Sequence, residues 1–163
     1  MYKFILDSDA LIKLTKSGIL ELVCNHYKCI ATTEVRNECV EEGKKRLHKD
    51  ALIIEQCISK KLLNIGHTKK TGKIEIKFGK GEISTINFYF QEKNSVIVTD
   101  DSAFIKYLEE NNIRHMVPAA LIALMKKSNK INAEIALSYL EKLREYIKRE
   151  VYEDARKDLK EED

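Results

Sequence analysis

Tryptophan is absent and proline occurs once in this 163-residue chain. Lysine, glutamate and isoleucine are abundant, a balance that leans toward the charge-paired surface of a thermophile's protein. No apolar stretch approaches the roughly 20 residues that a bilayer-spanning helix needs. The first residues lack the basic region, long apolar run and small-residue cleavage site of a secretory signal. A cytoplasmic location without membrane contact is therefore expected. None of the four cysteines (Cys24, Cys29, Cys39, Cys57) forms a C-x-x-C pair. His26 lies between the first two, but no second ligand pair is spaced to complete a zinc site. Buried free thiols are expected, and a disulfide stays open only for a hyperthermophilic source. Net charge is only +3, which excludes a polycation. The distribution is less even, because seven lysines face one acid, Glu75, between Lys60 and Lys80. That segment is either a solvated loop or a surface that attracts phosphate backbones.

What is present is an ordinary 44% of hydrophobic residues, enough for one domain with a sizeable core. Tyr2 to Leu6, Tyr27 to Ala31, Val96 to Val98 and Ile113 to Val117 read as short strands of the buried parallel kind. Helical spacing fills the intervals. Ala10 to Leu14 ends at Gly18, and Ile19 to Cys24 makes a second short helix. Thr32 and Thr33 both suit an N-cap, with Thr33 leading a helix through about Glu42 to Gly43. Leu47 to Ser59 presents Leu47, Ala51, Ile54, Cys57 and Ile58 on one apolar face. Leu62 to Ile65 and Ile74 to Phe78 flank a Lys/Gly/Thr-rich stretch and suggest a hairpin or irregular excursion over about 62–80. Glu82 to Gln91 follows, with Ile83, Ile86 and Phe90 on one side, and then Ser102 to Asn111. Pro118 suits the first turn of a helix running to Met125. From Asn132 onward, Ala136, Leu140, Leu143, Ile147 and Val151 make one stripe, which predicts a long C-terminal helix. Strand and helix alternate, so the predicted class is α/β: a central parallel sheet flanked by helices in three layers. The predicted division is a domain over 1–127 and a helical extension over 128–163.

Acids recur where that architecture would gather them. Asp7 and Asp9 close the first strand, and Asp100 and Asp101 close the strand at Val96–Val98. Ligands of open α/β sheets bind beyond the carboxyl ends of the strands. Glu38 lies in the helix after the second strand, bordering the buried side marked by Val35 and Cys39. Glu82 follows Gly81 at a helix start. Each acid has an ordinary alternative. Asp7, Asp9 or one of the late pair could cap a helix, Glu82 could complement a helix dipole, and Glu38, like Glu34, could simply be solvated. Carboxylates gathered together repel unless a cation stands among them.

In order and spacing, Asp7-Ser8-Asp9-Ala10-Leu11, Val35-Arg36-Asn37-Glu38, Gly81-Glu82 and Thr99-Asp100-Asp101 resemble the motifs of the PIN-domain family of metal-dependent ribonucleases. The resemblance covers about residues 1 to 125 and implies a three-layer PIN-like fold. It departs from the commonest pattern in having Glu rather than Asp at position 82 and in the long lysine-rich excursion. It also implies Asp7, Glu38, Glu82, Asp100 and Asp101 as catalytic acids, with Asp7, Glu82, Asp100 and Asp101 as ligands. Hard oxygen donors suit Mg²⁺ or Mn²⁺. Ser8, Asp9 and Thr99 would orient those groups. None of His26, His48, His67 and His115 lies near these motifs, so no histidine base is expected.

The implied function is hydrolysis of RNA phosphodiesters, as in toxins of toxin–antitoxin pairs, with RNA and an antitoxin-like protein as partners, while the strongly charged tail beyond Tyr152 extends either into solvent or to a second copy. RNA comes from the resemblance alone, since no RNA-recognition signature is present. Lys13, Lys16, Lys69, Lys70, Lys73 and Lys80 are the candidate phosphate contacts. Two alternatives stand beside this reading. One is a module that binds RNA or protein and cleaves little. The other is a haloacid-dehalogenase-type phosphatase, suggested by the D-x-D of Asp7-Ser8-Asp9, although Ala10 and Leu11 depart from its usual continuation.

Overall fold

A computed structural model describes residues 3–69 and 78–160. Its centre is β1 (Lys3–Leu6), with β2 (Lys28–Thr32) on one side and β4 (Ser95–Val98) on the other. β3 (Leu63–Gly66) and the two-residue β5 (His115–Met116) form the edges, giving a five-stranded parallel sheet of order β3-β2-β1-β4-β5. The strand order reverses at β1 and β4, the switch point where α/β sheets open a crevice at their carboxyl ends. Leu6 pairs with Val98, so Asp7 and Thr99 leave the sheet side by side.

The two-residue period of the strands divides the core. Phe4, Leu6, Cys29, Ala31 and Val98 face one hydrophobic cluster. Ile5, Ile30 and Ile97 face the other. Against the first face pack α1 (Ser8–Lys16), α2 (Leu20–His26) and α5 (Lys49–Ser59). The second is covered by α6 (Lys80–Gln91) and α7 (Ser102–Glu110) through Ile86, Phe88, Phe104 and Leu108. This is the three-layer α/β arrangement expected from the alternation of elements. All four cysteines are buried and free.

The helix after β2 is not uniform. Thr32 rather than Thr33 caps it, accepting the Val35 N–H at 3.3 Å. A first turn, α3 (Thr33–Arg36), passes into a π-helical segment at Asn37–Glu42 and ends in α4 (Gly43–Lys45). The wider π turn changes which residues face inward, and such insertions frequently accompany functional sites.

Several expectations need correction. Leu47 is 89% exposed, in the left-handed region at φ 58°, and takes no part in the buried face of α5. On α6 the buried face is Gly81, Ser84, Thr85, Ile86 and Phe88, while Phe90 is exposed. The helical period was right and the face was displaced, because small residues let α6 approach β2, where Thr32 and Ser84 share a 2.6 Å hydrogen bond. Leu62–Ile65 makes no hairpin strand; β3 pairs in parallel with β2, and most of the second arm, 74–77, lies outside the described residues. The long C-terminal helix is two. α8 (Pro118–Lys127) is followed by α9 (Ala133–Leu143), a 3₁₀ turn at Arg144–Tyr146 and α10 (Arg149–Lys160). One continuous helix at 1.5 Å per residue would run about 40 Å, beyond the sheet it must cover. Folding back buries Ala136, Leu140, Leu143, Tyr152, Ala155 and Leu159 in the same cluster as Leu11 and Leu14. The core is therefore continuous across 127–128. Among the described residues no helix is long and apolar enough to cross a membrane.

Candidate active site

Asp7, Ser8, Asp9, Glu38, Gly79, Gly81, Glu82 and Asp101 line one pocket of about 280 Å³ at the carboxyl ends of β1 and β4. Four of the five predicted catalytic acids thus meet there, from four separate stretches of chain. A larger cavity of about 400 Å³ between α8 and α10 is lined by Met116, alanines, Leu124, two lysines and Asp158. It lacks convergent acids.

Three acids are fixed by the same device: one carboxylate oxygen accepts a backbone N–H. Asp7 Oδ1 accepts from Ala10 N at 2.8 Å as the N-cap of α1, and Asp101 Oδ1 from Phe104 N at 2.7 Å as the N-cap of α7. Glu82 Oε2 reaches back to Gly79 N at 2.7 Å across the first turn of α6. Capping and site formation are therefore not rivals, since the cap locks the side chain that faces the pocket.

Glu38 is held through both oxygens. Oε1 accepts the Gly81 N–H at 2.9 Å, and Oε2 accepts the Ser8 hydroxyl. A side chain at position 81 would displace that carboxylate, because a Cβ there would lie 2.9 Å from the Glu38 carboxylate carbon. The solvated alternative for Glu38 is thereby set aside. Its inward aim was not legible from the spacing of an ordinary helix, whereas Gly81 next to Glu82 was visible.

Asp100 departs from the group. Its Oδ2 accepts from Lys13 Nζ at 2.7 Å, the same ammonium pairs with Asp9 Oδ2 at 2.8 Å, and Asp100 is not among the pocket-lining residues. Burial alone would depress Lys13, but the contacts to Asp100 and Asp9 outweigh it and hold its pKa above the ordinary value. Lys13, expected as a phosphate contact, is instead an internal bridge from α1 to the β4–α7 junction. The i,i+4 spacing of Asp9 and Lys13 was the available signal. Lys16 lies over the Tyr146 ring at 5.1 Å. Lys69 and Lys80 are exposed, Lys80 between two pocket-lining glycines, and Lys70 and Lys73 lie outside the described residues.

The electrostatics follow from crowding. Asp7 is raised from 3.8 to about 7, chiefly by burial, with the Thr99 hydroxyl and Ala10 N–H pulling it down and the charges of Asp9 and Glu82 adding to the rise. Glu82 is also raised, first by burial, opposed by Gly79 N–H and reinforced by Asp101 and Glu38. Thr99 is buried and also accepts Asp101 N–H at 3.2 Å, tying the two aspartates together. Cys39 donates to the Ser8 carbonyl at 3.7 Å, and burial pushes its thiol up to about 12, which removes it as a nucleophile.

Among the described residues, no three acidic, histidine or cysteine side chains are drawn together tightly enough to hold an ion directly. The acids instead stand around a space with room for a cation and its waters. All-oxygen donors and a carboxylate whose pKa is raised chiefly by burial fit a hydrated hard divalent ion. Asp7, Glu82 and Asp101 would hold it. The phosphatase alternative fares worse, because Asp9 of the D-x-D is ion-paired to Lys13.

A family model for the PIN domain matches residues 3–161. No curated protein matches the chain. PIN domains are generally nucleases and typically use divalent metal ions. With the match spanning the sheet, the acid-lined pocket and both C-terminal helices, the chain belongs to the PIN-domain family.

Proposed function

We propose that this protein is a Mg²⁺- or Mn²⁺-dependent endoribonuclease that hydrolyses phosphodiester bonds at the pocket of Asp7, Glu38, Glu82 and Asp101. The observation that carries the reading is the meeting of these acids at the sheet's switch point, three of them pinned through one oxygen by backbone N–H groups. A bound divalent ion would supply an acidified water and charge stabilisation at the phosphate. The chain's own residues supply the frame. Asp7, Glu82 and Asp101 each have one oxygen held by a backbone N–H, and the Thr99 hydroxyl also bonds Asp7. Glu38, fixed by Gly81 and Ser8, presents negative charge and acceptor lone pairs that orient water beside the π-helical segment. Ser8 and Thr99 restrain the carboxylates they touch. Lys80, exposed and flanked in sequence by the pocket-lining Gly79 and Gly81, is the favoured phosphate contact.

The test is cleavage of end-labelled single-stranded RNA by protein stripped of metal and resupplied with Mn²⁺. Cleavage should appear with the metal and vanish in Asp7→Asn and Asp101→Asn, with circular dichroism unchanged. Equal cleavage by both variants would assign the activity to a contaminant. RNA binding without cleavage would favour the weakly catalytic module. A toxin role, checked by an antitoxin-like partner, belongs to the same proposal. Expression of the wild type should arrest growth, and Asp7→Asn should not.

A further inference from the structure

The pocket's acids divide according to which oxygens are already engaged. Both oxygens of Glu38 are taken, by Gly81 N–H and the Ser8 hydroxyl. Asp9 and Asp100 each give an oxygen to Lys13, at 2.8 and 2.7 Å, and the Asp100 side chain is only 5% exposed. Asp7, Glu82 and Asp101 remain, each with one oxygen pinned by backbone and the other without a backbone donor, the Thr99 hydroxyl being a further donor to Asp7. Three such oxygens, completed by water, suit one small hard cation, which keeps most of its waters and takes few carboxylates. Beyond these three and Glu38, the carboxylates that could serve a second ion are Asp9 and Asp100, and the Lys13 ammonium already stands between them. Its side chain, 17% exposed, lies between the two acids.

We propose, resting on the nuclease reading above, that Lys13 is a built-in counter-ion that takes the place of a second metal, so that the site binds one divalent cation. Lys13 is then a positioning residue. It withdraws Asp9 and Asp100 from the ligand set and leaves Asp7, Glu82 and Asp101 as the metal-holding group. The two adjacent aspartates after β4 have opposite duties: Asp101 faces the ion and Asp100 faces the lysine.

Counting bound Mn²⁺ per chain by equilibrium dialysis and electron paramagnetic resonance tests this without reference to activity. The full-length wild type should hold one ion. Lys13→Met, which keeps length and removes charge, should hold a second, weaker ion, and Lys13→Arg should stay at one. Asp100→Asn should change the first ion's affinity by no more than about threefold, against a loss of tenfold or more in Asp101→Asn. Two ions on the wild type would overturn the proposal and leave the nuclease reading intact, as would a single ion on folded Lys13→Met. If Lys13→Met does not fold, the Asp100 comparison decides, and an equal loss in Asp100→Asn and Asp101→Asn overturns it. Absence of any Mn²⁺ on the wild type, or unchanged binding in Asp7→Asn, sinks the site reading itself.

Discussion

Replacing Asp7 by Asn should make the metal-free protein more stable at pH 8 while abolishing its response to Mn²⁺. The carboxyl is 2% exposed and its pKa is raised from 3.8 to about 7, with burial as the main cause. The folded state therefore keeps this proton up to about pH 7, whereas the unfolded chain releases it near 3.8. The Asp7 contribution to folding stability is most favourable below the lower value, falls as pH rises between the two, and is level above the higher. At about 1.4 kcal/mol per pKa unit, ionised Asp7 lowers stability by about 4 kcal/mol at pH 8. Asparagine abolishes that loss and retains an oxygen for Ala10 N–H, but its amide group brings new donors, at a penalty of about 1–3 kcal/mol. The net gain at pH 8 is about 1–3 kcal/mol, or roughly 2–10 °C in Tm for a chain of this size. Urea unfolding of both proteins from pH 4.5 to 8, in chelator, isolates the Asp7 contribution as the difference between them. Saturating Mn²⁺ should reverse the order, because an ion at about 1,000 times its Kd adds about 4.1 kcal/mol to the wild type alone. A variant less stable than the wild type at pH 8, or a difference that does not vary with pH, would refute the reasoning.

Gly81→Ala should place its Cβ against the Glu38 carboxylate and swing that side chain out of position. RNA cleavage should fall about tenfold or more while Tm moves little, since alanine favours a helix by about 1 kcal/mol over glycine. Gly66→Ala tests packing of the edge strand: its Cβ would meet the Phe88 ring at 2.6 Å and Ile30 at 3.0 Å, and thermal melting should report a loss of about 1–3 kcal/mol. Leu143→Ala, at a fully buried position of α9, should lower stability by about 2–5 kcal/mol in a single cooperative transition. Two transitions would instead mark the residues after 127 as a separately folding unit.

The acids and the alternating elements were legible in the sequence because they depend on local pattern. Strand runs bounded by Asp7 and by Asp100-Asp101, a threonine cap after β2 and a proline opening α8 need no partner to be recognised. The metal-ligand set was only half legible. Asp100 and Asp101 are adjacent in sequence and chemically identical, and only the position of Lys13 in space separates them. Glu38 was marked only by its place beside the buried Val35 and Cys39, because its inward aim depends on a π-helical segment and on a backbone N–H forty-three residues away. The C-terminal stripe fits one long helix as well as two, since no glycine or proline marks the break. Local spacing determined which residues are apolar, acidic or cap-forming in this chain. Which face is buried, where a helix must fold back and which carboxylate is left for an ion were decided by the tertiary structure, where volume and charge must be satisfied among residues remote in sequence.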